Sequence, residues 1–81
     1  MRLWTATVEY WNKRDEYWNP GFSLERGRFL FDSAEGAKAA GDDLFLRLDW
    51  KEEPDGDWVG LYDEINRVSV SWVQGHPQGG R

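Results

Sequence analysis

The sequence predicts a small α+β domain in the order β-β-α-β-β-β, a mostly antiparallel sheet with one short helix packed on one face. Three observations carry that expectation. Residues Leu3–Trp11 alternate between apolar and polar side chains. Residues 34–42 repeat small side chains at helical spacing. Turn chemistry then divides residues 44–73 into three strand-like runs.

In the first strand Trp4, Ala6, Val8 and Tyr10 point one way and Thr5, Thr7 and Glu9 the other. This is the period-two pattern of a half-buried strand, rich in aromatic and β-branched residues. Asn19-Pro20-Gly21 has turn chemistry: proline presets φ and glycine tolerates positive φ. A second strand is expected over Phe22–Phe31, with Gly27 as a bulge. The connection at residues 12–21 is then longer than a tight hairpin.

Asp32-Ser33-Ala34-Glu35 reads as a helix start, with Asp32 capping and Glu35 reaching back. Ala34, Ala37, Ala40 and Gly41 form a stripe that lets the helix lie close to a sheet. Gly36 and Gly41 each cost about 1 kcal/mol of helix propensity, so the helix is short and leans on packing. Two acids, Asp42 and Asp43, oppose the dipole at its end. Leu44, Leu46, Leu48 and Trp50 alternate with Phe45, Arg47 and Asp49, and are read as strand rather than as helix continuation.

Glu53-Pro54-Asp55-Gly56 is a turn with Gly at the left-handed position, which pairs Glu53 with Asp57. Trp50 then faces Gly60 and Leu48 faces Tyr62. An aromatic ring over a cross-strand glycine covers bare backbone. A second three-residue loop, Glu64–Asn66, is expected to pair Tyr62 with Val68, Gly60 with Val70 and Trp58 with Trp72. Residues 1–74 form one domain on this reading, and 75–81 a flexible tail.

Composition narrows the function classes. A chain of 81 residues without cysteine has neither disulfides nor thiolate metal sites to staple it. Its six Trp residues offer burial instead. No apolar run is long enough to span a membrane, and Met1–Thr5 lacks the apolar core of a signal peptide, so a cytoplasmic protein is expected. The net charge of −5 is uneven: residues 32–64 hold eleven acids and three bases, the remainder four acids and seven bases. An acidic centre disfavours nucleic acid and anionic membranes, and favours a basic partner protein or simple solvation.

The segment Phe31-Asp32-Ser33-Ala34-Glu35-Gly36-Ala37-Lys38-Ala39-Ala40, followed by Leu48-Asp49-Trp50 and Pro54-Asp55-Gly56-Asp57-Trp58-Val59-Gly60, resembles a pattern in small accessory proteins of actinobacterial phages. That pattern runs strand, alanine-rich helix, then a Trp and Asp-Gly hairpin. The likeness covers about residues 29–62 and implies a small interaction or inhibitor role. It implies no particular site residue.

Catalytic chemistry finds little footing. Glu52, Glu53, Asp55 and Asp57 surround Gly56, but an EF-hand frame on that glycine puts Lys51 and Tyr62 at the end positions, so no metal or cofactor is expected. The single histidine, His76, has no orienting partner nearby, and no cysteine nucleophile exists. No enzyme is expected.

Binding is the reading that remains. The tetrapeptide Glu-Tyr-Trp-Asn occurs twice, at Glu9–Asn12 and Glu16–Asn19. Strand phase places Tyr10 in the core and Trp11 on the opposite face, with the second copy in a loop. Trp11, Tyr17 and Trp18 are therefore candidate anchors, joined by the acids Asp42, Asp43, Glu52, Glu53, Asp55 and Asp57. In this expectation the acids imitate DNA phosphates and occupy the groove of a basic nucleic-acid-binding enzyme. The other sheet face, with Phe45, Val59, Leu61 and Val73, offers a homodimer interface. Two alternatives stand beside this. One is a ubiquitin-like modifier using Gly79-Gly80. The other is a single-strand nucleic-acid or small-ligand binder, in which Lys13 and Arg14 lie among the aromatics but are offset by Glu9, Asp15 and Glu16.

Overall fold

A computed structural model describes residues 2–24 and 30–74. Gly27, His76, the 75–81 tail and its Gly79-Gly80 pair lie outside the described residues. The order is β1 (Arg2–Asn12), β2 (Tyr17–Ser23), α1 (Ala34–Phe45), β3 (Asp49–Glu52), β4 (Trp58–Leu61) and β5 (Asn66–Gln74). This is the expected α+β succession. The five strands form one sheet in the order β2-β1-β5-β4-β3, and every neighbouring pair runs antiparallel.

The first hairpin differs from expectation. Asn12 pairs with Tyr17, so the second Glu-Tyr-Trp-Asn copy enters a strand and not a loop. The reversal is Lys13–Glu16. Asn12 organises it: its carbonyl accepts from Glu16 N at 2.7 Å and its Oδ1 from Asp15 N at 3.0 Å. Glu16 takes the left-handed conformation there, at φ 57°. Asn19-Pro20-Gly21 instead lies inside β2, where the register shifts between Val8 and Glu9. Proline is tolerated on an edge strand and at a bulge. A Cβ on Gly21 would sit 2.7 Å from the Val8 carbonyl oxygen, so only glycine fits there. β2 ends at Ser23, and residues 25–29 of the strand expected over Phe22–Phe31 lie outside the described residues. Leu24 still donates to Ala6 O, and Phe31 exchanges two hydrogen bonds with Trp4.

Ser33, not Asp32, caps α1: its Oγ accepts from Gly36 N at 3.0 Å. The helix continues to Phe45, so Leu44 and Phe45 are helical and the strand expected over 44–50 is confined to Asp49–Glu52. The extension is held by Asp42. Its Oδ1 accepts from Leu48 N and from Trp50 Nε1, each at 3.0 Å. Those bonds tie the returning chain to the last turn and offset the acid's poor place on the dipole. The helix closes at Leu46, at φ 73° and ψ −50°, with Arg47 N donating to Phe45 O at 2.8 Å.

The Pro54–Gly56 loop forms as expected. Glu53 N donates to Asp57 O and Gly56 adopts φ 95°. Trp50 pairs with Gly60, and its ring lies so close that a Cβ on Gly60 would be 2.8 Å away. The next loop is one residue earlier than expected, Asp63–Ile65, with Tyr62 N donating to Asn66 O. The β4–β5 register therefore shifts by two: Gly60 pairs with Val68 and Trp58 with Val70. A two-residue shift keeps every side chain on its expected face.

The core lies between α1 and the sheet. Ala6, Ala37, Val68 and Val70 are fully buried, flanked by Trp4, Val8, Ala34 and Leu48 and bordered by Trp50, Trp58 and Trp72. The aromatics supply bulk while the small helix residues permit close approach. A Cβ on Gly41 would come within 3.1–3.3 Å of Leu48, Trp50 and Val68.

Candidate functional site

The helix is shorter than the sheet it covers. Twelve helical residues span about 18 Å, whereas the eleven residues of β1 span about 36 Å. α1 packs on β1, β5 and β4, and has no comparable contact with β2. It starts beside Trp4 and Phe31 and ends near the row formed by Tyr10, Asn66 and Tyr62. Among the described residues α1 is the one helix, and it does not reach over β2 or past this row.

Tyr10 shows the consequence. It shares the inward face of Trp4, Ala6 and Val8 but is 48% exposed, against the expectation of a core residue. Phe22, paired with Val8, and Tyr17, paired with Asn12, are exposed beside it. From the helix end come Leu44, and Leu46 at 90% exposure. From the β4–β5 turn come Tyr62, stacked on Phe45 at 4.7 Å between ring centroids, and Ile65. Among the described residues these seven are the exposed large apolar side chains; six come from the end of the sheet where α1 stops, and Phe22 lies farther in, opposite Val8.

Helical geometry sets the shape of the patch. Lys38 lies over the Trp58 ring on β4 at 3.6 Å, and Phe45 meets Tyr62. Both mark the β4 flank of α1. Leu44, 100° back around the helix from Phe45, falls on the β1 flank, toward Tyr10. The result is a corner with a floor of Tyr10 and Phe22 and a wall carrying Leu44.

The anchors expected from sequence are distributed differently. Trp11 and Trp18 are cross-strand partners on the sheet face away from the helix, half-buried, with ring centroids 5.5 Å apart. Arg67 lies over Trp18 at 4.4 Å and its Nε donates to Glu9 at 2.6 Å. These two Trp side chains thus pack on one another, with Arg67 against Trp18, while Tyr17 alone of the expected trio is exposed. Phe45 leaves the proposed homodimer face because it is helical. Val59, Leu61 and Val73 do share the open face, with Val59 buried within it.

The acids divide as well. Glu52, Glu53, Asp55 and Asp57 lie around the β3–β4 turn, at the opposite corner of the sheet from Trp11 and Trp18. Four strand spacings separate the edges, about 19 Å. Asp55 accepts from Asp57 N, and Asp57 Oδ1 accepts from Trp72 N at 3.2 Å where β4 no longer pairs with β5. Asp42 serves Leu48 and Trp50. Asp43, Glu52 and Glu53 remain exposed. At the patch end, Asp63 accepts from Ile65 N, which holds its carboxyl below its ordinary value of 3.8; desolvation opposes this, and further bonds from Asn66 act with Ile65.

Among the described residues no group of three His, Cys, Asp or Glu is placed to hold a metal ion. No helix among them is long and apolar enough to cross a membrane. No family model, curated protein or solved structure matches this chain. The exposed patch escaped sequence reading because Tyr10 and Phe22 carry ordinary inward-facing strand patterns. The signal available was the short helix set against a long first strand.

Proposed function

We propose that this protein is a non-enzymatic protein-binding module, of the inhibitor type suggested by the phage-protein resemblance. It docks the apolar end built by Tyr10, Phe22, Leu44, Leu46 and Tyr62 onto another protein. The observation that carries this reading is the gathering of exposed large apolar side chains beside and past the end of α1, where singly scattered ones would need no explanation. The flat aromatic rings supply anchors that lose little conformational entropy on binding.

The DNA-mimic version rests on fewer groups than the acid count suggests, because Asp42, Asp55 and Asp57 accept hydrogen bonds within the fold. Asp43, Glu52 and Glu53 carry it. The ubiquitin-like alternative gains no support from a sheet in which the first and last strands run antiparallel. Affinity capture from cells of origin with three baits separates the versions: wild type, Tyr10→Ser/Phe22→Ser, and Glu52→Gln/Glu53→Gln. Loss of a partner with the patch variant alone supports patch docking. Loss with the turn variant alone, together with release at high salt, favours phosphate mimicry. Retention by both variants overturns the patch reading.

A further inference from the structure

Resting on that reading, we propose that the patch receives a cationic amphipathic helix of the partner protein, seated in the corner between α1 and β2. Three properties of the molecule lead to this occupant.

The first is shape. A partner strand would need a free sheet edge, and both edges resist it. β2 carries Pro20 and the Gly21 bulge, and β3 carries Asp49, Lys51 and Glu52 in a four-residue strand. The uncovered apolar surface faces along the helix side instead. A floor of two aromatic rings beside the flank of a helix suits a second helix, packing about 8–10 Å from α1 and inserting apolar residues at i, i+3 or i+4, and i+7.

The second is charge. The hairpin Lys13–Glu16, the end of α1 and the β4–β5 turn surround the patch. They hold the acids Asp15, Glu16, Asp42, Asp43, Asp63 and Glu64 and the bases Lys13, Arg14 and Arg47. Among the described residues the surround is net negative, and the hydrogen bonds to Asp63 favour its charged form. Basic residues flanking an apolar stripe complement it. A second copy would set one acidic rim against another in an isologous contact, and an anionic lipid surface or nucleic-acid phosphate would be repelled.

The third is Leu46. A leucine at φ 73° and 90% exposed is unfavourable in both backbone and side chain. Such outliers cluster at sites of function. Leu46 caps the end of α1, where an exposed side chain is available to an occupant of the corner.

The test uses the full chain, ¹⁵N-labelled, with two synthetic peptides sharing one leucine face, one flanked by lysine and the other by glutamate. The lysine peptide is expected to perturb Tyr10, Phe22, Leu44 and Leu46 and to bind at least about tenfold tighter than the glutamate peptide, a difference of about 1.4 kcal/mol. Raising the salt should narrow that ratio. Phe22→Ser and Leu46→Gly should each weaken binding several-fold while the spectrum stays folded, since both side chains are exposed. Equal affinity of the two peptides at the patch overturns the cationic occupant while leaving patch docking in place. Perturbation confined to Trp11 and Arg67, or no binding of the lysine peptide, also overturns it. Partner capture that depends on Tyr10 and Phe22 remains a separate readout of the docking reading.

Discussion

Trp11 and Trp18, the tryptophans of the two Glu-Tyr-Trp-Asn copies, face each other across β1 and β2 with ring centroids 5.5 Å apart. The repeat is thus a hairpin device, in which seven-residue spacing around a four-residue reversal sets one indole against the other. The pair sits on the helix-free face and fastens an edge strand that α1 does not cover. A double-mutant cycle, Trp11→Ala against Trp18→Ala, is expected to return a coupling of about 0.5–1.5 kcal/mol in urea unfolding. Additive single effects would show that the rings stabilise the hairpin independently.

Gly60 lies beneath Trp50, with no room for a methyl group. Gly60→Ala should destabilise the fold by about 1–3 kcal/mol, because the ring must lift and strain its hydrogen bond to Asp42. Chemical denaturation gives the magnitude. The indole Nε1 proton of Trp50 should shift in the NMR spectrum, and an unmoved resonance would contradict the packing described.

Leu46→Gly should act in the other direction on stability. Removing the side chain relieves the positive-φ strain and sacrifices almost no burial, so a gain of about 1 kcal/mol is expected. A thermal melt reports it directly. Loss of stability would mean that the leucine packs onto the protein itself.

Asp63 should contribute an acid-sensitive part of stability. Its folded-state pKa lies below its ordinary value, so the folded protein binds fewer protons than the unfolded chain across that interval. The contribution is present above the ordinary value of 3.8 and is lost as pH falls through the folded value. Asp63→Asn should flatten this part of the stability profile in urea melts taken from about pH 6 to about pH 2. A carboxyl titration midpoint at or above the ordinary value would remove the effect.

Much of the fold is legible in the sequence. The alternation from Trp4 to Val8, the Pro54–Gly56 turn and the match of Trp50 to Gly60 are short-range patterns, and each survives in the structure. Reading failed where two local signals competed. Asn19-Pro20-Gly21 has turn residues, but an edge strand with a bulge accommodates them. Leu44–Trp50 alternates, but Asp42 prolongs the helix by holding Leu48 and Trp50.

The sequence by itself determined which residues alternate, where the chain can reverse and which face each strand presents, because these depend on neighbours a few positions away. Only the tertiary structure decided the strand order, the two-residue register of β4 on β5 and where α1 stops relative to β1. Those choices depend on long-range pairing and on the difference in rise between helix and strand. They also decide the candidate site. Tyr10 has the phase of a core residue and is exposed because the helix above the sheet ends before covering it.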